Sequence, residues 1–273
     1  MFSQKEIFPG IFHITDAMGV SMTLIEGSER AVLFDTGYGT EDVQKYIRTL
    51  TDRPVTVILS HGHHDHILGA RWFGKVYLAR EDRDEYLLRT GRKQRERVAA
   101  QAGQKGVPPP DDFLTASCPD PEPIAWTGKT AGFDCAEMNM GGLPLTLIRV
   151  PGHTPGSLMV WIPERRLMLT GDNWNPCTWL WFPSAVPASE WRENMGKILE
   201  ACPCEHVLCS HQPDLRTGEE MRRFITSLTP ERLKAAKRIP LDEKIDTRQA
   251  FPDGEGMTFV FDWAKTGLDE MNP

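Results

Sequence analysis

The sequence predicts an α/β protein, and three observations carry that prediction. Short apolar runs alternate with helix-forming stretches along most of the chain. Turn-forming residues separate them at intervals too short for long helices alone. Histidines and aspartates recur where predicted strands end, as functional residues do in sheets flanked by helices. With 273 residues, 40% hydrophobic and 25% charged, the chain can bury a large core. One domain over residues 1–273 is expected, with a helical insertion at about 81–121.

Ile11 to Thr15, Ser21 to Glu26 and Ala31 to Asp35 read as strands, with Gly27 to Arg30 as the hairpin turn between the last two. Thr40 is expected to cap a helix from Glu41 to Leu50, whose acidic first turn suits the helix dipole. Val55 to Leu59 is a buried strand, and Ile67 to Trp72 starts a helix. Lys75 to Ala79 is the next strand. Glu81 to Gln101 reads as one charged helix over a modest apolar stripe of Tyr86, Leu87 and Val98. Its cations Arg89, Arg92, Lys93, Arg95 and Arg97 suggest a solvated face, with a basic groove for an anionic substrate as the other reading. The run Pro108 to Asp112 breaks the chain, and Glu81 to Pro121 is expected to wall one side of the site.

Leu143 to Val150, Leu158 to Ile162 and Leu167 to Thr170 are strands, the last two joined by the Pro163 to Arg166 turn. Ser189 to Ala201 is a helix, and Glu205 to His211 a strand ending in histidine. Gly218 to Lys237 is helical with a break near Pro230, and Met257 to Phe261 is a short strand.

The stretch Ser60-His61-Gly62-His63-His64-Asp65-His66 holds four imidazoles and one carboxylate within six residues. Packing does not call for such a cluster at a strand end. Neutral imidazole and carboxylate are first-row metal ligands, and histidines two apart can close on one ion. Asp65 and His66 then face a second ion. His153, Asp172 and His211 complete two ligand sets, with Asp172 able to bridge them. Gly152 and Gly156 flank His153 in a tight turn, and Gly171 lets the backbone approach closely beside Asp172.

These motifs resemble the metallo-β-lactamase fold superfamily over nearly the whole chain. The matching residues are the Leu33-Phe34-Asp35-Thr36-Gly37 strand end, His61-x-His63-x-Asp65-His66, Pro151-Gly152-His153-Thr154-Pro155-Gly156-Ser157, Thr170-Gly171-Asp172 and His211. The resemblance implies a four-layer αββα sandwich with two mixed β-sheets and the metals at their rim. It implies that His61, His63 and His153 hold one ion, that Asp65, His66 and His211 hold another, and that Asp172 bridges. Asp35 would hydrogen-bond a ligand or its loop. Two divalent ions are implied, zinc first, with iron or manganese as other candidates. They would supply a bridging hydroxide that attacks a small ester, lactone or thioester. Asp65, besides binding metal, would pass a proton to the leaving group, and Asp65 and Asp172 are the expected catalytic carboxylates.

Departures narrow the branch. The commonest zinc β-lactamases carry cysteine where this chain has Asp172. Glyoxalase II-like thioesterases continue differently past the last histidine, which here is followed by Gln212-Pro213-Asp214. The lactonase or esterase-like group remains. Two alternatives stand beside it: a mononuclear iron oxidoreductase of the persulfide dioxygenase type, and a weakly active metal-binding protein.

The segment Asn173 to Phe182 holds three of the eight tryptophans and begins beside Asp172. Asn173, Trp174, Trp179 and Trp181 are expected to line an apolar pocket, with Met18, Met22 and the Glu81 helix opposite. Packing in the core or at a homodimer contact is the competing expectation. The net charge of -7 argues against general affinity for nucleic acid or anionic membranes, leaving a small-molecule partner. No signal-like or membrane-spanning run is visible, so a cytoplasmic protein with reduced cysteines is expected. Cys202, Cys204 and Cys209 lack zinc-finger spacing and read as buried thiols, with a thiolate site as the alternative.

Overall fold

In the computed structural model, which describes residues 1–266 and Leu268, two seven-stranded mixed sheets face each other. The remaining C-terminal positions of the expected domain, 267 and 269–273, lie outside the described residues. The first sheet runs β1 (Ser3–Phe8), β2 (Ile11–Thr15), β3 (Ser21–Glu26), β4 (Ala31–Phe34), β5 (Val55–Ile58), β6 (Tyr77–Leu78) and β7 (Glu122–Pro123), in that order. The meander β1 to β4 is antiparallel, and from β4 onward each strand is parallel to the last.

The second sheet holds β8 (Gly128–Thr130), β9 (Phe133–Asn139), β10 (Pro144–Arg149), β11 (Leu158–Ile162), β12 (Leu167–Leu169), β14 (His206–Leu208) and β15 (Arg216–Thr217). Alternation along its strands divides the core. Leu147, Leu158, Val160, Leu167 and Leu169 meet Ile25, Val32, Phe34 and Ile58 of the first sheet. The intervening Ile148, Met159 and Met168 point the other way, onto α5 (Ala188–Ala201) and α6 (Gly218–Ser227). A period of two buries both faces of such a sheet only when a layer covers each. On the far side of the first sheet, Leu24, Leu33 and Val57 pack under α1 (Val43–Ile47). This is the four-layer αββα arrangement.

Several boundaries differ from expectation. The first helix begins at Val43, because Asp42 rather than Thr40 accepts the Lys45 amide. The metal loop runs into a single turn, α2 (His64–Ile67). Glu81 to Gln101 is not one helix but α3 (Arg83–Arg89) and α4 (Arg92–Gln104), broken at Thr90-Gly91. There Arg95 turns inward and donates to the Thr90 and Phe113 carbonyls, so it is no part of a solvated face. Leu87 lies outside the stripe, largely exposed. After α7 (Pro230–Lys234), Lys237 belongs to a strand.

A third, four-stranded sheet was not foreseen. It joins β13 (Cys177–Leu180) to β18 (Thr258–Asp262) in parallel, then β17 (Thr247–Ala250) and β16 (Lys237–Arg238). The tryptophan-rich segment is therefore partly a strand. No helix among the described residues is long and apolar enough to cross a membrane.

Candidate metal centre

Strand ends from both large sheets meet at one rim. Asp35 follows β4, His61 follows β5, His153 follows β10, Asp172 follows β12 and His211 follows β14. Ligand atoms of His61, His63 and His153 lie within 4.8 Å of one another, and so do those of Asp65, His66, Asp172 and His211.

Two imidazoles of the first set have the outer nitrogen hydrogen-bonded, and the third faces a carboxylate. The His61 Nδ1–H donates to Ser60 Oγ at 2.9 Å, and that hydroxyl donates to Asp35 Oδ2 at 2.8 Å. His153 Nδ1–H donates to the Trp179 carbonyl at 2.6 Å. His63 Nε2 faces Glu85 Oε1 at 3.5 Å. The nitrogens turned toward one another are His61 Nε2, His63 Nδ1 and His153 Nε2. His63 Nδ1 and His153 Nε2 stand 2.9 Å apart, and His61 Nε2 is buried without a partner. That arrangement suits a cation. Burial first, then the neighbouring imidazoles, pushes His61 and His63 well below the ordinary histidine range; burial also lowers His153.

The second set mixes charges. His66 Nδ1 donates to Asp35 Oδ2 at 3.0 Å, while its Nε2 lies 3.4 Å from both Asp65 Oδ2 and Asp172 Oδ2. His211 Nε2 is 3.0 Å from Asp172 Oδ2 and 3.5 Å from Asp65 Oδ2. Burial alone would raise both carboxyls. Instead His66 holds Asp65, and His211 and His66 hold Asp172, well below the usual carboxylate range. In return, against the effect of burial, Asp172, Asp65 and Asp35 hold His66 well above 6.5. Asp172 Oδ2 is also 3.7 Å from His153 Nε2, so it stands between the two sets. Its Oδ1 is buried with no partner. Neutral imidazoles, carboxylates and unpartnered buried acceptors fit divalent ions.

Asp35 serves both sets. Its Oδ1 accepts the Ser60 amide at 2.6 Å, and its Oδ2 reaches Ser60 and His66. It does so from a left-handed backbone, φ 70°, a conformation that costs a non-glycine residue on the order of 1 kcal/mol and that local hydrogen bonds hold in place.

Two positioning carboxylates escaped the sequence reading. Asp82 is buried, and it accepts from the Gly62 amide at 3.0 Å, the Gly156 amide at 2.7 Å and the Thr154 hydroxyl at 2.6 Å. It thereby ties the His61-His63 loop to the His153 loop. Burial pushes it up to about 6 despite these donors. Glu85, one turn along, faces His63 and is paired with Arg89 at 2.7 Å. Both sit in a charged helical stretch where nothing local distinguishes them. Gly62 allows this packing, since a Cβ there would lie 2.9 Å from the Asp82 carbonyl and the Tyr86 amide.

The cavity above the ligands has a volume of about 640 Å³ and is lined by Tyr38, Arg89 and Gln101 on one side and Trp179 and Phe182 on the other. Of the individually expected pocket residues Trp179 lines it, and Arg89 and Gln101 come from the Glu81 stretch expected opposite. Met22 is buried in the core beneath the first sheet, and Met18 packs with Val98 and Phe113 under the insertion. Trp174 is wholly buried against Phe224. Trp181 stacks on Phe182 at 4.6 Å without reaching the cavity, whereas Phe182 touches the His63 and His153 rings. Asn173 is a brace. Its Oδ1 accepts the His153 amide at 2.9 Å and its Nδ2 donates to the Val150 carbonyl at 2.7 Å. A Cβ at position 152 would lie 2.1 Å from that Oδ1, so only glycine fits there. Cys202, Cys204 and Cys209 are buried free thiols that burial raises, and none joins a ligand set among the described residues.

The sequence model of the metallo-beta-lactamase superfamily matches residues 15–234. The acyl-coenzyme A thioesterase MBLAC2 of Bos taurus is 24% identical over 198 residues, covering 63% of this chain and 66% of that protein. The hydroxyacylglutathione hydrolase GloC of Haemophilus influenzae is 25% identical over 151 residues, covering 54% and 62%. The match thus spans just under two thirds of either relative's length. Among solved structures, the inverting sec-alkylsulfatase Pisa1 from Pseudomonas sp. superposes with a TM-score of 0.60 at 20% identity, over 83% of this chain and 41% of that one. A metallo-β-lactamase from Erythrobacter litoralis gives 0.58 at 17% identity, over 82% and 95%. At such identities these two speak for the fold. With the family's sequence pattern matched over most of its length and the fold to go with it, the chain belongs to the metallo-β-lactamase superfamily.

Proposed function

We propose that the protein is a hydrolase of a small ester, lactone or thioester that works with two divalent ions, zinc foremost. The observation that carries the reading is the convergence of ligand atoms from His61, His63 and His153 beside a carboxylate, Asp172, shared with a second set. The thioesterase and hydrolase names of the two relatives support the reaction class. His61, His63 and His153 would hold one ion, Asp65, His66 and His211 the other, with Asp172 between them. When bound, such ions bring the pKa of water toward neutrality and polarise a carbonyl oxygen.

The chain's own residues do the rest. Ser60 and the Trp179 carbonyl take the outer N–H groups of His61 and His153, Glu85 faces the outer nitrogen of His63, and the ligating nitrogens stay turned inward. Trp179 and Phe182 offer an apolar surface and shed water from it. Asp65 lines the cavity beside His211, which supports its carrying a proton to the leaving group.

The deciding experiment is elemental analysis of protein expressed without added metal, followed by a panel of lactones, thioesters and aryl esters. Close to two zinc ions per chain, with turnover of at least one class, is the expected result. About one iron per chain, with oxygen consumed on a persulfide, would replace this reading with oxidative sulfur chemistry.

A further inference from the structure

The two walls of the cavity differ in kind. Trp179 and Phe182 make one side aromatic. On the other, the break at Thr90-Gly91 lets two helices contribute, Arg89 from α3 and Gln101 from α4. Arg89 is the one lysine or arginine among the described lining residues. Its Nε is held by Glu85 Oε1 at 2.7 Å, which orients the guanidinium, and no acceptor among the described residues takes its terminal nitrogens. A guanidinium held along one edge still presents N–H donors to a carboxylate, phosphate or sulfate. The Arg89 side chain is 25% exposed, so an anion bound there is better shielded from water than on an open surface. Gln101, which lines the cavity together with Tyr38, adds an amide to the same wall.

We propose that Arg89 makes the cavity selective for esters or thioesters bearing a negative charge, which the α3–α4 wall holds while the apolar part lies on Trp179 and Phe182. The inference rests on the hydrolase reading above and names the substrate class for it. Glu85 keeps Arg89 in place between turnovers, so the guanidinium need not be ordered anew each time a substrate arrives.

The test uses the zinc-loaded full chain and matched substrate pairs. One pair is a monoaryl succinate and its methyl-capped diester; the other is a thioester of a phosphate-bearing thiol and its hydroxyl counterpart. The wild type should favour the charged member of at least one pair about tenfold or more in kcat/KM, and Arg89→Gln should lower that ratio about tenfold. Arg89→Lys should restore part of it. The pair with the larger loss names the anion. Binding of a non-hydrolysable amide analogue of each charged member, followed by tryptophan fluorescence, gives a reading independent of turnover. An unchanged ratio and unchanged affinity in Arg89→Gln would overturn the inference. Charge-selective binding that Arg89→Gln abolishes, with no hydrolysis of any member, would keep the anion site and overturn the hydrolase reading instead.

Discussion

The two candidate ligand sets lie side by side, yet they offer a cation opposite kinds of surroundings. The first is three imidazoles, each 5% exposed or less, with the outer N–H groups of His61 and His153 held by Ser60 and the Trp179 carbonyl and the outer nitrogen of His63 facing Glu85. Burial keeps them neutral, so their lone pairs are already available near neutral pH. The second crowds two carboxylates against two imidazoles, and the His211 side chain is 35% exposed at the cavity edge. There the carboxylates hold protons on His66 and His211, and a cation must compete with those protons. A preorganised neutral cage and a charge-balanced cluster thus share one residue, Asp172.

That sharing sets the largest expected effect. Asp172→Ala removes an acceptor from both sets and should abolish the binding of both ions, with kcat/KM falling at least about a thousandfold. His63→Ala touches the first set alone and should also lose metal and activity, while the second set keeps all its side chains. Far-UV circular dichroism should be unchanged in both, because the two residues lie in loops rather than in the packed layers. Normal metal occupancy with full activity in either variant would remove the site assignment.

The residues of both sets were legible in the sequence, because they cluster in a single loop or follow apolar strands closely. Asp82 and Glu85 were invisible for a physical reason. Their role depends on α3 packing against Gly62, and sequence spacing cannot report a contact between separate elements. Arg95 shows the same blindness in reverse, a cation in a charged run that is fully buried on backbone carbonyls. The aromatic segment misled because it was read as a loop. It contains a strand whose faces alternate, so Thr178 and Leu180 point inward while Cys177 and Trp179 point out. Its partner β18 is some eighty residues away, a pairing no local pattern predicts.

Asp82→Asn sharpens the contrast between the sets, since Asp82 braces only the first. Asparagine cannot accept all three donors, because its amide nitrogen meets an N–H or O–H head on. Zinc affinity at the first set should fall about tenfold, with the second unaffected. The same variant has a pH signature. A carboxyl raised from 3.8 to about 6 on folding favours the protonated native state. Its contribution is complete below about pH 3.8 and is lost as pH rises through about 6. In urea unfolding of the metal-free protein, the stability of the wild type relative to Asp82→Asn should therefore fall across that window, by at most about 3 kcal/mol. A difference that stays flat from pH 4 to 7 would mean that the three donors outweigh burial and keep Asp82 ionised throughout.

The smallest effect is expected at Trp179, and it separates side chain from backbone. The Trp179 carbonyl fixes the His153 tautomer, a bond that Trp179→Ala retains. Its indole is 43% exposed, so stability should change by less than about 1 kcal/mol. Metal content should stay at the wild-type level, and KM for a substrate with an apolar part should rise about threefold to tenfold while kcat holds. Phe182 makes the sharper comparison, because its ring lies 4.7 Å from that of His63 and 5.1 Å from that of His153. Truncating it should disturb the neutral cage as well as the wall. If Trp179→Ala instead lost zinc from the first set, the indole would be supporting the strand that carries the carbonyl, and the division of labour between ligand set and cavity wall would fail at that residue.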